Sequence, residues 1–286
     1  MSLLPVWFKG LTPELIKKAE EELNEKPNIK AKVLVEFRRL INDEQDLYSR
    51  LDENFLLRFL RAKKFNAKKA IKVLRNYYNF KARHAGVFTN LKPSQVRSIM
   101  EMNMIYYSPY RVPDGSHIAI CRLGSYNPRL AKAEELVATV FICAEMILEC
   151  EASQISGGIV VFDFLGAGIQ QYTKFVTYSF AKFITNALQD CWPERLKGIH
   201  LVNEPYALQA VFSMVKLIGK RKLMERIHLH GSNLNSLHEH IPTSFLPHEL
   251  GGTLGPMDSK EFKDYFYSQE EFIERINKYG ILEKKK

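Results

Sequence analysis

From Leu196 to Gly231 the chain reads LKGIHLVNEPYALQAVFSMVKLIGKRKLMERIHLHG, a stretch that can fold in few ways. Its opening is a strand, with Ile199, Leu201 and the β-branched Val202 between loop-forming ends. Pro205 then suits the first turn of a helix, where no N–H is needed. Leu208, Val211, Phe212, Val215 and Ile218 fall at i, i+3, i+4, i+7 and i+10, one apolar stripe that must be buried. The opposite face carries Ala207, Ala210, Met214 and Leu217, with only Gln209, Ser213 and Lys216 as polar relief. A helix apolar nearly all round is covered on both sides or lies against lipid. Basic residues frame it: positions 195 to 226 hold seven Lys or Arg against two acids, Glu204 and Glu225.

The flanking chain divides in two. Thr12 caps a first helix that runs to about Lys26, with Pro27 as its stop. Ala31 to Ile41 gives a second helix. Asp52 caps a third, in which Phe55, Leu56, Phe59 and Leu60 face one way and Arg58 and Arg61 the other; Asn66 caps a fourth that closes near Gly86. Beyond a linker at Thr89 to Pro93 the pattern changes. Met104–Tyr107 and Ile118–Cys121 flank the turn signal Pro113-Asp114-Gly115 and form a hairpin. A helix from Ala133 to Glu151, an apolar strand from Gly158 to Phe164 and a helix from Gln171 to Gln189 precede the 196–231 stretch, which ends in a strand at Ile227 to Leu229. Strands and helices alternating at this spacing predict an α/β fold with a mostly parallel sheet and helical crossovers. One amphipathic helix from Lys260 to Gly280 follows, and Lys284–Lys286 fray.

Two of these helices present more apolar surface than one neighbour can cover. Val137, Val140, Phe141, Ala144 and Leu148 make one stripe, while Ile142, Cys143, Met146 and Ile147 fill much of the rest. Phe175, Tyr178, Ala181, Phe183, Ile184, Ala187 and Leu188 repeat the pattern. From periodicity alone this is a thick core.

GIHLVNEP, AVFSMVK and ERIHLHG, in this order and spacing, resemble the CRAL-TRIO lipid-transfer domain, most closely its α-tocopherol transfer protein branch, over residues 10 to 255. RFLRAKKFNAKKA resembles the helical module that precedes that domain. The resemblance implies a helical lobe at 10–88, a lipid-binding domain at 93–255 and a helical extension at 256–286. It also implies that the helix after the NEP turn is a gate over a hydrophobic cavity. Val140, Phe141, Ala144, Phe162, Phe164, Ile184, Leu188, Leu201, Phe212 and Val215 are then the expected cavity wall. Arg195, Lys197, Lys222 and Arg226 match the family's head-group positions, with Lys222 and Arg226 at i, i+4 if the helix persists. The function implied by the resemblance is that of a cytosolic, monomeric carrier that exchanges one hydrophobic molecule, tocopherol-, retinoid- or carotenoid-like, at phosphoinositide-containing membranes. A phosphatidylinositol or phosphatidylcholine carrier of the same fold is the alternative. The 137–148 stripe offers no hydroxyl, so a tocopherol-like OH has no anchor there.

Other functions fit less well. Gly166-Ala167-Gly168 follows a strand, but the third position of a dinucleotide fingerprint is Gln171, and no G-x-S-x-G elbow is present, so the chain is not read as an enzyme and no cofactor is expected. Val161, Asp163 and Gly166 match the family's V-x-D-x-x-G, implying a structural carboxylate. His228 and His230 would share one side of a strand, yet lack an Asp or Cys at ligand spacing, so no metal is expected. The four cysteines show no zinc-like spacing and read as reduced thiols. The net charge of +9 resides in residues 1 to 92, with 20 basic against 11 acidic residues, while the remainder holds 21 of each. Nine basic and no acidic residues lie between Arg61 and Arg83, but Tyr77 and Tyr78 sit on or beside the apolar stripe, not interleaved on the basic face, so no nucleic-acid partner is expected. No apolar run reaches the ~20 residues of a membrane span, and MSLLPVWFKG lacks a basic leader and makes a poor signal peptide.

Overall fold

The computed structural model describes residues 7–88 and 91–282. The first six residues, Thr89 and Asn90 of the expected linker, and the Lys284–Lys286 end lie outside the described residues. Four helices build the N-terminal lobe, three of them started by a side-chain cap. Thr12 Oγ1 accepts from Leu15 N at 3.3 Å and starts Pro13–Leu23, Asp52 Oδ1 accepts from Phe55 N at 3.1 Å before Glu53–Ala62, and Asn66 Oδ1 accepts from Lys69 N at 2.9 Å before Ala67–Arg83. One boundary differs from expectation. Asn24, at φ +64°, ends the first helix, and Pro27 begins the second, Pro27–Asn42, because proline fits a first turn as well as it blocks an interior.

Among the described residues seven strands form two sheets: β1 (Leu47–Tyr48), β2 (Ile105–Tyr107), β3 (His117–Arg122), β4 (Gly158–Asp163), β5 (Leu196–Val202), β6 (Ile227–Leu229) and β7 (Gly280–Ile281). The main sheet runs β2-β3-β4-β5-β6. β2 pairs antiparallel with β3 as a hairpin, and β3 to β6 are parallel, joined by helical crossovers. β7 returns to the lobe and pairs with β1, a contact no local pattern announced.

Three of the expected helices are broken. The expected Ala133–Glu151 helix stops at Ile147 and restarts as Glu151–Ser156. The 171–189 segment is Ile169–Phe175 and Tyr178–Asn186, restarted by Thr177, whose Oγ1 accepts from Phe180 N at 3.2 Å, then a π turn at Ala187–Cys191. The C-terminal helix is likewise split at Gln269 into Lys260–Ser268 and Glu270–Ile276.

A parallel sheet needs cover on both faces. The back of this one is closed by Leu237, Ile241, Phe245 and Leu246 against Ile118, Val161 and Val202. The front faces the helices Ala133–Ile147, Tyr178–Asn186 and Ala207–Lys216 across a space they do not fill.

Candidate functional site: an apolar cavity under a two-faced helix

The space is a cavity of about 240 Å³, against the roughly 10–15 Å³ that one water requires. Alternation supplies its floor: Ala119 and Cys121 from β3, Val160 and Phe162 from β4, Ile199 and Leu201 from β5. One irregularity extends it. The β4–β5 register passes from Gly158–Leu196 to Ile159–Gly198, so Lys197 is skipped, and this bulge turns Leu196 to the same side as Ile199 and Leu201. All ten residues expected in the wall line this cavity: Val140, Phe141, Ala144, Phe162, Phe164, Ile184, Leu188, Leu201, Phe212 and Val215. Ala119, Cys121 and Val160 were missed, although period-two alternation marks them. Leu208 and Val211 also line it and lay on the stripe already identified.

The wall is chemically quiet. No Lys or Arg is among its lining residues, and the only carboxylate is Glu194, beside His117 with Nε2–Oε1 at 3.2 Å. Burial pushes the Cys121 thiol up to about 12 and the Cys143 thiol further still, so both are neutral space-fillers. Burial also raises the Tyr107 phenol well above its usual value.

The helix Ala207–Lys216 roofs the cavity and has two unlike faces. Leu208, Val211 and Val215 point inward at 8%, 8% and 3% exposure. Tyr206, Met214 and Leu217 stand outward at 85%, 45% and 87%. Three large apolar side chains at this helix are thus left in water. The turn that leads into it is pinned by polar bonds at the carboxyl ends of the strands. Buried Asp163 accepts from Asn203 Nδ2 at 2.8 Å and Leu165 N at 2.9 Å, and Glu204 accepts from Gly231 N at 2.9 Å. Asp163 is thus a structural carboxylate, and Asn203 sits at φ +55° in the turn it braces.

The four basic residues fall in different surroundings. Arg195 pairs with Glu22 at 2.8 Å, Lys197 with Asp114 at 3.3 Å, and Arg226 donates to Leu196 O. Burial, then the charge of Arg195, lowers the Arg226 guanidinium below its usual value, so these two are neighbours. Lys222 is exposed. Burial pushes the Lys63 ammonium down, Asp190 draws it back up, and Lys220, Lys222 and Lys69 push it further down, so Lys222 belongs with that group. The short helix Arg221–Met224 ends before Arg226, and the expected i, i+4 pairing within one helix does not form.

Two other sequence features are placed elsewhere. Arg61, which opens the basic run, is fully buried in ion pairs with Glu25 and Glu151 at 2.7 Å, so it offers nothing to a nucleic acid. His200, His228, His230 and His240 cluster behind the sheet, the first three stacked and His240 tilted against them, with ring centroids 4.3 to 6.3 Å apart and His200 Nδ1 2.9 Å from His230 Nε2. Burial, with the neighbouring rings, depresses His200 to about 3 and His230 to about 4. Among the described residues no group of three or more His, Cys, Asp or Glu has metal-holding geometry.

The CRAL/TRIO domain family model matches residues 101–252, and the CRAL/TRIO N-terminal domain model matches residues 14–76. The chain belongs to the CRAL/TRIO family. Human alpha-tocopherol transfer protein-like is 34% identical over 274 residues, 95% of this chain and 80% of the relative. Mouse clavesin-1 is 33% identical over 259 residues, 87% of this chain and 71% of the relative, and rat clavesin-2 is 30% identical, covering 87% and 77%. The family is one of lipid-binding and lipid-transfer proteins, and the cavity lies in the part its domain model covers. Among the described residues no helix is long and apolar enough to cross a membrane.

Proposed function

We propose that this CRAL/TRIO protein is a monomeric, cytoplasmic carrier of one neutral hydrophobic molecule of the tocopherol, retinoid or carotenoid kind. It would exchange that molecule at anionic, phosphoinositide-containing membranes without catalysis or a cofactor. The observation that carries this is the Ala207–Lys216 helix, which roofs an apolar cavity with one face and offers Tyr206, Met214 and Leu217 to the outside with the other. A bilayer can cover the outer face, which lowers the cost of lifting the roof. Burying ~400 Å² of ligand at ~25 cal/mol per Å² is worth about 10 kcal/mol before ordering costs. A membrane offers similar burial, so release needs only a shifted balance at its surface. A phosphatidylinositol or phosphatidylcholine cargo is less well supported, because no cation in the wall would meet a phosphate.

Arg195, Lys197, Lys222 and Arg226 are the proposed head-group residues. A cation near an anionic surface is worth ~1 kcal/mol. Glu22 and Asp114 compete for Arg195 and Lys197, and a surface ion pair is worth ~0–1 kcal/mol. Replacing all four by alanine should therefore weaken membrane recruitment by about 2–4 kcal/mol, roughly thirty- to a thousandfold. The measurement is cargo transfer between vesicles with and without phosphoinositide, at two salt concentrations. Transfer by the folded quadruple variant as fast as by the parent, or transfer indifferent to phosphoinositide, would refute the membrane step.

A further inference from the structure

The cavity carries polar chemistry at one end. His117, Gly158 and Leu196 open β3, β4 and β5 in register, and Glu194 stands just before β5. The His117 and Glu194 side chains are 2% and 11% exposed, and both line the cavity. Gly158 makes room for them: a Cβ there would lie 2.3 Å from His117 Nε2 and 2.6 Å from Glu194 Oε1. Trp192, two residues before Glu194, lines the same wall.

Two atoms at these side chains are unmatched. His117 Nδ1 and Trp192 Nε1 are buried and have no hydrogen-bond partner. Buried polar groups are nearly always paired with the chain, with water or with a ligand, and these two belong to residues lining a cavity where a group from outside the chain can reach them. His117 Nε2 lies 3.2 Å from Glu194 Oε1; a proton on that nitrogen leaves the lone pair of the uncharged ring on Nδ1, while the indole nitrogen only donates. A hydroxyl has both a hydrogen for the first and an oxygen for the second. A carboxylate or phosphate would bring a second negative charge towards Glu194, in a wall without Lys or Arg.

We propose that His117, Glu194 and Trp192 form a subsite for the hydroxyl of an otherwise apolar ligand, with Glu194 fixing the His117 tautomer. It rests on the carrier reading of the cavity and supplies the polar anchor that the 137–148 stripe lacks. The body of the ligand lies along Phe162, Leu201 and the roof helix, and its one polar group meets the strand-opening end.

The test is equilibrium titration of the full chain at pH 7.5 with retinol and retinyl methyl ether, and by competition with α-tocopherol and its methyl ether. Each pair shares its apolar body. The parent should bind the alcohols at least about tenfold more tightly, since a site built for a hydroxyl rejects the analogue that cannot donate. His117→Phe should bring alcohol binding down to the ether level while ether binding holds or improves, whereas Trp192→Phe, which removes a donor that either oxygen can use, should weaken both and leave the preference for the alcohols. Equal binding of alcohol and ether by the parent would overturn the subsite and leave the carrier reading standing. So would a His117→Phe variant that keeps the parent's preference for the alcohols. Failure of the parent to bind any of the four would overturn the carrier reading and the subsite with it.

Discussion

The helix Ala133–Ile147 separates two regions built on opposite principles. Towards the lobe it presents Glu145, which accepts from Arg58 Nη1 at 2.8 Å and from the Tyr77 hydroxyl. Beside it Arg61, fully buried, donates to both oxygens of Glu25, to Glu151 and to Gln154, each at 2.7 Å. Gln154 passes the network on to Leu148 O at 2.8 Å. Towards the sheet the same helix presents Val140, Phe141 and Ala144 to a cavity. Buried charge tolerates one arrangement only, because a displaced partner leaves an ion unpaired. An apolar wall around a void has no such requirement. The protein is therefore fixed where lobe meets sheet and adaptable where cargo would sit.

Breaking the seam should have the largest effect. Arg61→Met leaves Glu25 and Glu151 without their shared cation and should cost about 3–5 kcal/mol in urea denaturation. A cost under 1 kcal/mol would mean that the seam is no more specified than the cavity. Acid should act on the same region more gently. Burial alone would raise the Glu145 carboxyl, but Lys81, Arg58 and the Tyr77 hydroxyl together hold it below the usual glutamate value. A depressed folded value contributes stability that is present above the unfolded value of about 4.3 and lost as pH falls through the folded one. Stability of the parent should thus fall on acidification below about pH 4, and Glu145→Gln, less stable at pH 7, should show a shallower slope there. The smallest effect belongs to the cavity. Ile184→Val should fall at or below the low end of the ~0.5–1.5 kcal/mol usual for that change, because the lost methyl already faced a void.

Periodicity made much of the cavity legible and little of the seam. The 208–218 stripe and the apolar β4 strand each say which residues share a face, and a shared face is all that a wall requires. Arg58 and Arg61 do stand opposite Phe55 and Phe59, yet that second face reads as solvated until the 145–154 segment is laid over it. Their partners are far along the chain: Glu145 is 87 residues from Arg58 and Glu25 is 36 from Arg61. The same distance hid the β1–β7 pairing. The breaks at Thr177 and Gln269 were lost because the apolar pattern continues across them. His117 and Glu194 were not singled out, since neither belongs to a stripe and only the register of three strands brings them together.

The central claim, that the cavity holds one neutral apolar molecule, is tested most directly by counting and identifying what it takes up. Purified parent and Phe162→Asp should be incubated with a cell lipid extract, repurified, weighed intact by native mass spectrometry, then extracted into organic solvent for identification. Phe162 is half-buried at the cavity wall, so the new carboxylate can be hydrated by water entering the void, and circular dichroism should report a folded variant. The parent should carry one equivalent of a phosphate-free apolar molecule, and Phe162→Asp should carry less than about a hundredth of that at equal exposure, a difference near 2.7 kcal/mol at ~1.4 kcal/mol per decade. A parent that returns empty, or loaded with phospholipid, or a folded Phe162→Asp that loads as the parent does, would contradict it.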